Sequence, residues 1–196
     1  MITAHTALKE ATKDLHAELD SMPAMRQLMR QDLTLDQYRA VLLHLEGWLH
    51  EMSAHLHLRS RPSFAAIDRK LIALRTDLEN LGQSRPALKL HLASTDPYHA
   101  LGVHYVIEGS TMGARVLAPR IEKSLGRTDI THFYRLYGED TLVNWAETID
   151  LLERELTTQP HLNRAIEGAT SSFTALISRF SSDFQERPLN ERTLQG

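Results

Sequence analysis

With 196 residues the chain suits one domain around one core, since single cores usually split only beyond roughly 250 residues. Hydrophobic residues at 42% and charged residues at 24% are ordinary globular usage, which excludes a disordered or fibrous chain. A net charge of −3 without a basic block leaves no electrostatic footprint for nucleic acid. The absence of cysteine excludes disulfides, thiolate metal sites and a cysteine nucleophile, so any transition metal must be held by histidine or carboxylate. The stretch Met1-Ile2-Thr3-Ala4-His5 has neither a basic n-region nor an apolar h-region, and nowhere do about 18 apolar residues follow one another. A cytoplasmic protein without membrane insertion is expected.

Apolar spacing is helical almost throughout, and no segment offers clean strand-type alternation bounded by turns, so the fold class is all-α. From Thr3 to about Asp20, Leu8, Ala11, Leu15 and Leu19 share a face, and Pro23 closes the segment. Thr34-Leu35-Asp36-Gln37 reads as a capping box that starts a long helix running to about His57. Pro62 and Gly82 bracket a helix with Leu71, Leu74, Leu78 and Leu81 along one side. Asp96-Pro97 pairs an N-cap acceptor with a proline at the first helical position, predicting a helix to Leu125 capped by Gly126. Two last helices, about Glu139 to Leu156 and His161 to Phe184, flank Thr157-Thr158-Gln159-Pro160. The polar tail after Arg187, residues 188–196, is expected to fray from the domain formed by residues 1–187.

Gly102, Gly109 and Gly113 all fall inside the fourth long helix, although an interior glycine costs roughly 1 kcal/mol relative to alanine. Gly109 and Gly113 are one turn apart on one face, which suits either close helix packing or the approach of a flat ligand to bare backbone. The spacing alone does not choose between them. His16 has Asp20 one turn further on, where the carboxylate could accept from the ring as the outer partner of a metal ligand does. The same spacing describes an ordinary surface pair. His44, His50, His55 and His57 suggest a metal cluster, but His50 and His57 stand two turns apart, too far for one mononuclear site, and read as solvated surface. Glu46 and His50 form one carboxylate–histidine pair of the di-iron type, with no convincing second set.

The run Ala7-Leu8-Lys9-Glu10-Ala11-Thr12-Lys13-Asp14-Leu15-His16 closely resembles the proximal helix of heme oxygenases, whose histidine is the axial iron ligand. Tyr105-Val106-Ile107-Glu108-Gly109-Ser110-Thr111-Met112-Gly113-Ala114 is similar to the glycine-containing distal helix of the bacterial branch of that family. Weaker similarity covers Thr34 to Trp48 and the last helix around Phe173 and Phe180. The resemblance implies a heme oxygenase-like helical bundle holding heme b, both substrate and cofactor, between the first helix and the distal helix. It makes His16 the proximal ligand with Asp20 behind it, Lys9 the partner of a propionate, and Gly109 and Gly113 the surface against which the porphyrin lies.

Ser110 and Thr111 become anchors for distal water, since Ser110 stands where the mammalian enzymes carry an organising aspartate. The implied reaction consumes O2 and electrons from an external reductase, ferredoxin or flavodoxin, and yields biliverdin, CO and iron. Ala114 replaces the second glycine of the mammalian pair, and the penultimate helix lacks the family's basic propionate partners, because Trp145-Ala146-Glu147-Thr148-Ile149-Asp150 is acidic. Arg120, two turns beyond Gly113, is a replacement partner or a surface arginine, and Tyr105 contacts the heme edge or fills core. A heme-binding carrier or sensor without turnover is the alternative function; the retained glycine face argues against it.

Overall fold

The computed structural model describes residues 2–56, 66–83 and 96–182, and within them the chain is helical with no strand. The helices are α1 (Ala4–Ser21), α2 (Pro23–Gln27), α3 (Leu35–Leu56), α4 (Ala66–Asn80), α5 (Pro97–Leu125), α6 (Thr141–Glu155) and α7 (Gln159–Ser182), with a 3-10 turn at Gly138–Asp140 before α6. No helix of the described residues is long and apolar enough to cross a membrane. The expected tail 188–196, His57, Pro62 and Phe184 lie outside the described residues.

Local chemistry explains most boundaries. The α3 capping box forms as expected: the Gln37 amide N–H donates to Thr34 Oγ1 at 3.2 Å, and Gln37 Oε1 accepts from the Thr34 N–H at 3.0 Å. Asp96 caps α5 by accepting from the N–H groups of Tyr98 and His99, and Gly126 ends it in the left-handed region at φ 65°. Pro23 closes α1 by holding Met22 extended, and it then opens the five-residue α2, an element the sequence reading did not anticipate. Pro119 also sits inside α5, on its exposed side, where the lost N–H faces water.

Helix α5 is the centre of the bundle, packed against α7, α6 and α3. Two glycines let α5 and α7 meet backbone to backbone. A Cβ on Gly102 would overlap the Ala165 carbonyl, and one on Gly168 would overlap the His99 carbonyl. The core around this contact includes Trp48, whose indole N–H donates to the Ser172 carbonyl at 2.9 Å, and Tyr38, whose hydroxyl donates to the Ile130 carbonyl at 2.8 Å. Asp77 of α4, fully buried, accepts from the N–H groups of His132 and Phe133 at 2.8 and 2.9 Å and so pins the chain between α5 and α6.

Helix α1 lies on α7 and α6 rather than along α5. Its first turn is held from a distance of 148 residues. The Glu153 carboxylate accepts from the N–H groups of Ala4 and His5, each at 2.9 Å, placing a negative charge at the positive end of the helix. This bond sets where α1, and with it His16, stands relative to α6.

Candidate functional site

Residues 5, 9, 12 and 16 form one face of α1 by helical spacing. At the end of that face His16 Nδ1 lies 3.0 Å from Asp20 Oδ2, with side chains 62% and 63% exposed. An Nδ1–H donated to Asp20 leaves Nε2 with a lone pair, the form in which an imidazole binds a metal. The ring meets Phe173 of α7 edge-on at 5.8 Å, so the pair has an apolar wall on one side. Lys9 is exposed two turns earlier on the same face.

Tyr105 is 9% exposed and lies against His5 and Trp145, with ring centroids 6.2 and 5.7 Å apart. Its phenol also contacts the buried Thr12 hydroxyl, and burial raises its pKa against the lowering effect of that contact. Thr12 and Tyr105 thus mark where α1 and α5 touch. His16 lies one turn beyond on α1; Gly109 and Gly113 lie one and two turns beyond on α5.

The three interior glycines of α5 separate into different classes. Gly102 is a packing glycine. Gly113 is open: a Cβ built there meets nothing within 4 Å. Gly109 is intermediate, because the Trp145 indole of α6 covers it at 3.4 and 3.5 Å, an ordinary van der Waals distance. The spacing left packing and ligand approach open and the resemblance set both residues against a porphyrin, whereas Gly109 carries an aromatic ring. Nothing in the sequence singled out Trp145, since its approach depends on how α6 crosses α5. The Ser110 and Thr111 hydroxyls turn back onto their own helix, donating to the Ile107 carbonyl at 2.7 Å and the Glu108 carbonyl at 2.6 Å.

Other expected residues fall elsewhere. Arg120 is exposed, with Nη1 3.7 Å from Met29 Sδ, and lines a shallow surface hollow with Arg30, Lys123 and Ser124. The histidines of α3 are not solvated surface. His44 packs against Phe180 at 5.3 Å and His55 against His99 at 5.1 Å, and these rings and His50 are half-buried because α3 is covered by its neighbours on most sides. Glu46 is fully buried and paired with Arg75 at 3.2 Å, and the described residues contain no group of three metal-binding side chains.

Behind the glycine segment lies a polar cluster the sequence did not reveal. Lys70 of α4 is 0% exposed, and its Nζ donates to the Ile107 carbonyl at 3.1 Å and stands 3.6 Å from Glu108 Oε1. The Tyr137 hydroxyl donates to Glu108 Oε2 at 2.9 Å. Burial pulls the Lys70 ammonium down to about 8 against the opposing charge of Glu108. Burial likewise holds His104, one turn before Glu108, down at about 4, so it is neutral at pH 7.

Comparison with known proteins agrees with this arrangement over nearly the whole chain. The family model described as heme oxygenase matches residues 3–182. A heme oxygenase of Xanthomonas campestris is 36% identical over 106 residues, a match spanning 54% of this chain and 63% of that protein. Among solved structures, the NO- and CO-bound heme oxygenase of Neisseria meningitidis superposes with a TM-score of 0.75 at 20% identity, covering 100% of both chains. That of Leptospira interrogans gives 0.74 at 19% identity over 93% of this chain and 100% of its own. A cyanobacterial heme oxygenase from Synechocystis, solved in complex with heme, gives 0.69 at 14% identity over 92% of each chain.

Proposed function

The chain belongs to the heme oxygenase family, and from that premise we propose that it binds heme b between α1 and α5 and cleaves it to biliverdin, CO and iron. The reaction uses O2 and electrons from an external reductase, ferredoxin or flavodoxin. The observation that carries this reading is the open glycine: α5 is buried along its first half, yet at Gly113 a Cβ would meet nothing within 4 Å among the described residues. His16, with one ring nitrogen taken by Asp20, supplies a matching ligand.

When bound, heme supplies the iron that activates O2 and the ring that is oxidised. The chain's own residues do the rest. His16 Nε2 would hold the metal, with Asp20 fixing the tautomer through Nδ1. Lys9 would pair with a propionate along the same face, whereas Arg120, in the hollow beside Met29, stands apart from it. Gly113 would leave room for a small diatomic ligand, with Trp145 over Gly109 and Tyr105 as an aromatic wall on one side. While bonded to the helix, the Ser110 and Thr111 hydroxyls can accept hydrogen bonds from distal water through their free lone pairs. We take residues 1–187 as one domain acting in the cytoplasm, to be tested by limited proteolysis and cell fractionation.

Titration of the purified protein with hemin tests the reading. One equivalent should give a saturating Soret band, and ascorbate under air should replace it with biliverdin absorbance. Binding without the green product would make the protein a carrier or sensor. Failure to bind hemin would reject the reading altogether.

A further inference from the structure

The proposed reaction makes no use of the fully buried ammonium of Lys70, and the geometry around the carbonyl it meets gives it a task. The Ile107 carbonyl oxygen accepts from Lys70 Nζ at 3.1 Å and from Ser110 Oγ at 2.7 Å. As a helical carbonyl it is also the acceptor for the amide four residues on, that of Thr111. A carbonyl oxygen has two lone pairs, so three donors share two places. Two of the three are fixed. The amide is part of the helix, and the ammonium, fully buried, would lose the carbonyl that accepts from it. The Ser110 hydroxyl is different, because its residue is exposed and it leaves by rotating about one bond.

We propose that Lys70 is a positioning residue for the distal side. By occupying the Ile107 carbonyl it keeps the Ser110 hydroxyl loosely held, so that this hydroxyl can swing off its helix and donate to an oxygen ligand or water beside Gly109 and Gly113. The neighbouring hydroxyl supplies an internal contrast. Thr111 Oγ1 donates to the Glu108 carbonyl at 2.6 Å, an oxygen shared only with the helical amide of Met112 among the contacts of the described residues. Two donors there meet two lone pairs, and Thr111 stays in place. Glu108, whose other oxygen accepts from Tyr137, neutralises the buried charge and holds it against Ile107. The placement of Ser110 beside a ligand rests on the heme reading above; its competition with Lys70 does not.

Two measurements separate these. In the apoprotein, Ser110→Ala is compared in the wild-type and Lys70→Met backgrounds, and again with Lys70→Met/Glu108→Gln, which leaves no unpaired carboxylate. Ser110→Ala should lower the melting temperature by about 2 °C more in the Lys70 variants, where the hydroxyl has the carbonyl to itself, than in the wild type. The gain in helix propensity is common to all backgrounds. Thr111→Val should cost the same in every background. In the hemin complex, Ser110→Ala should move the pH at which the acid and alkaline spectra interchange by about half a unit to one unit. Lys70→Met should move it in the same direction, and the double variant no further. Additive effects in both measurements, or no spectral shift with Lys70→Met, overturn the proposal. So does failure of every Lys70 variant to fold, which would make Lys70 a structural residue alone. If the wild type binds no hemin, the heme reading fails and the melting comparison still decides the role of Lys70.

Discussion

Replacing Gly113 separates stability from function. A Cβ at this position meets nothing within 4 Å, and the residue is exposed, so a side chain can start there without a clash in the free protein. The residue is mid-helix, where glycine costs roughly 0.8 to 1 kcal/mol relative to a good helix former. Gly113→Leu should therefore stabilise the apoprotein by most of that amount, raising the melting temperature by about 2 to 4 °C for a chain of this size. The same side chain fills the space assigned to heme and its ligand. Biliverdin formation should fall on the order of tenfold or more, equivalent to about 1.4 kcal/mol of lost fit. Gly102→Ala is the control, since its Cβ would overlap the Ala165 carbonyl and push α5 from α7, and it should melt well below the wild type. The assay pairs calorimetry of each apoprotein with the rate of biliverdin formation from hemin. A Gly113→Leu protein that melts lower than the wild type would make Gly113 a packing glycine. One that folds well and turns over normally would place the heme away from Gly113.

Three further outcomes are expected. His16→Ala should abolish turnover and change the Soret spectrum of any hemin that still binds; an unchanged spectrum with full biliverdin yield would remove His16 as ligand. Lys9→Ala should alter the ratio of biliverdin isomers separated by chromatography, and an unchanged ratio with unchanged hemin affinity would take Lys9 out of the site. His104, held down at about 4 against an ordinary 6.5, binds fewer protons folded than unfolded between those values. Its contribution is fully present above pH 6.5 and is lost as the pH falls toward 4, a total of about 3 kcal/mol. His104→Gln should flatten the fall in melting temperature over that window, and equal pH dependence in both proteins would refute the assignment.

The sequence by itself determined the long helices and the motif, though not the five-residue α2. Capping depends on side chains within three or four residues of the backbone they satisfy, so Thr34 with Gln37, and Asp96 with Pro97 and Gly126, were legible as helix ends and formed as read. The His16–Asp20 pair was legible for the same reason, one turn of helix bringing the two groups to 3.0 Å. Tertiary structure alone decided what each helix face meets. The one-turn spacing of Gly109 and Gly113 allowed both packing and ligand approach, and only the crossing of α6 over α5 put Trp145 on the first and left the second bare. Gly102 looked like its neighbours in the sequence and proved to be the backbone contact with α7. The bond from Glu153 to the start of α1 and the contact of Lys70 with Ile107 join residues 148 and 37 positions apart. No periodicity encodes such pairs, because they depend on rigid helices docking at particular angles rather than on the chemistry of a single turn.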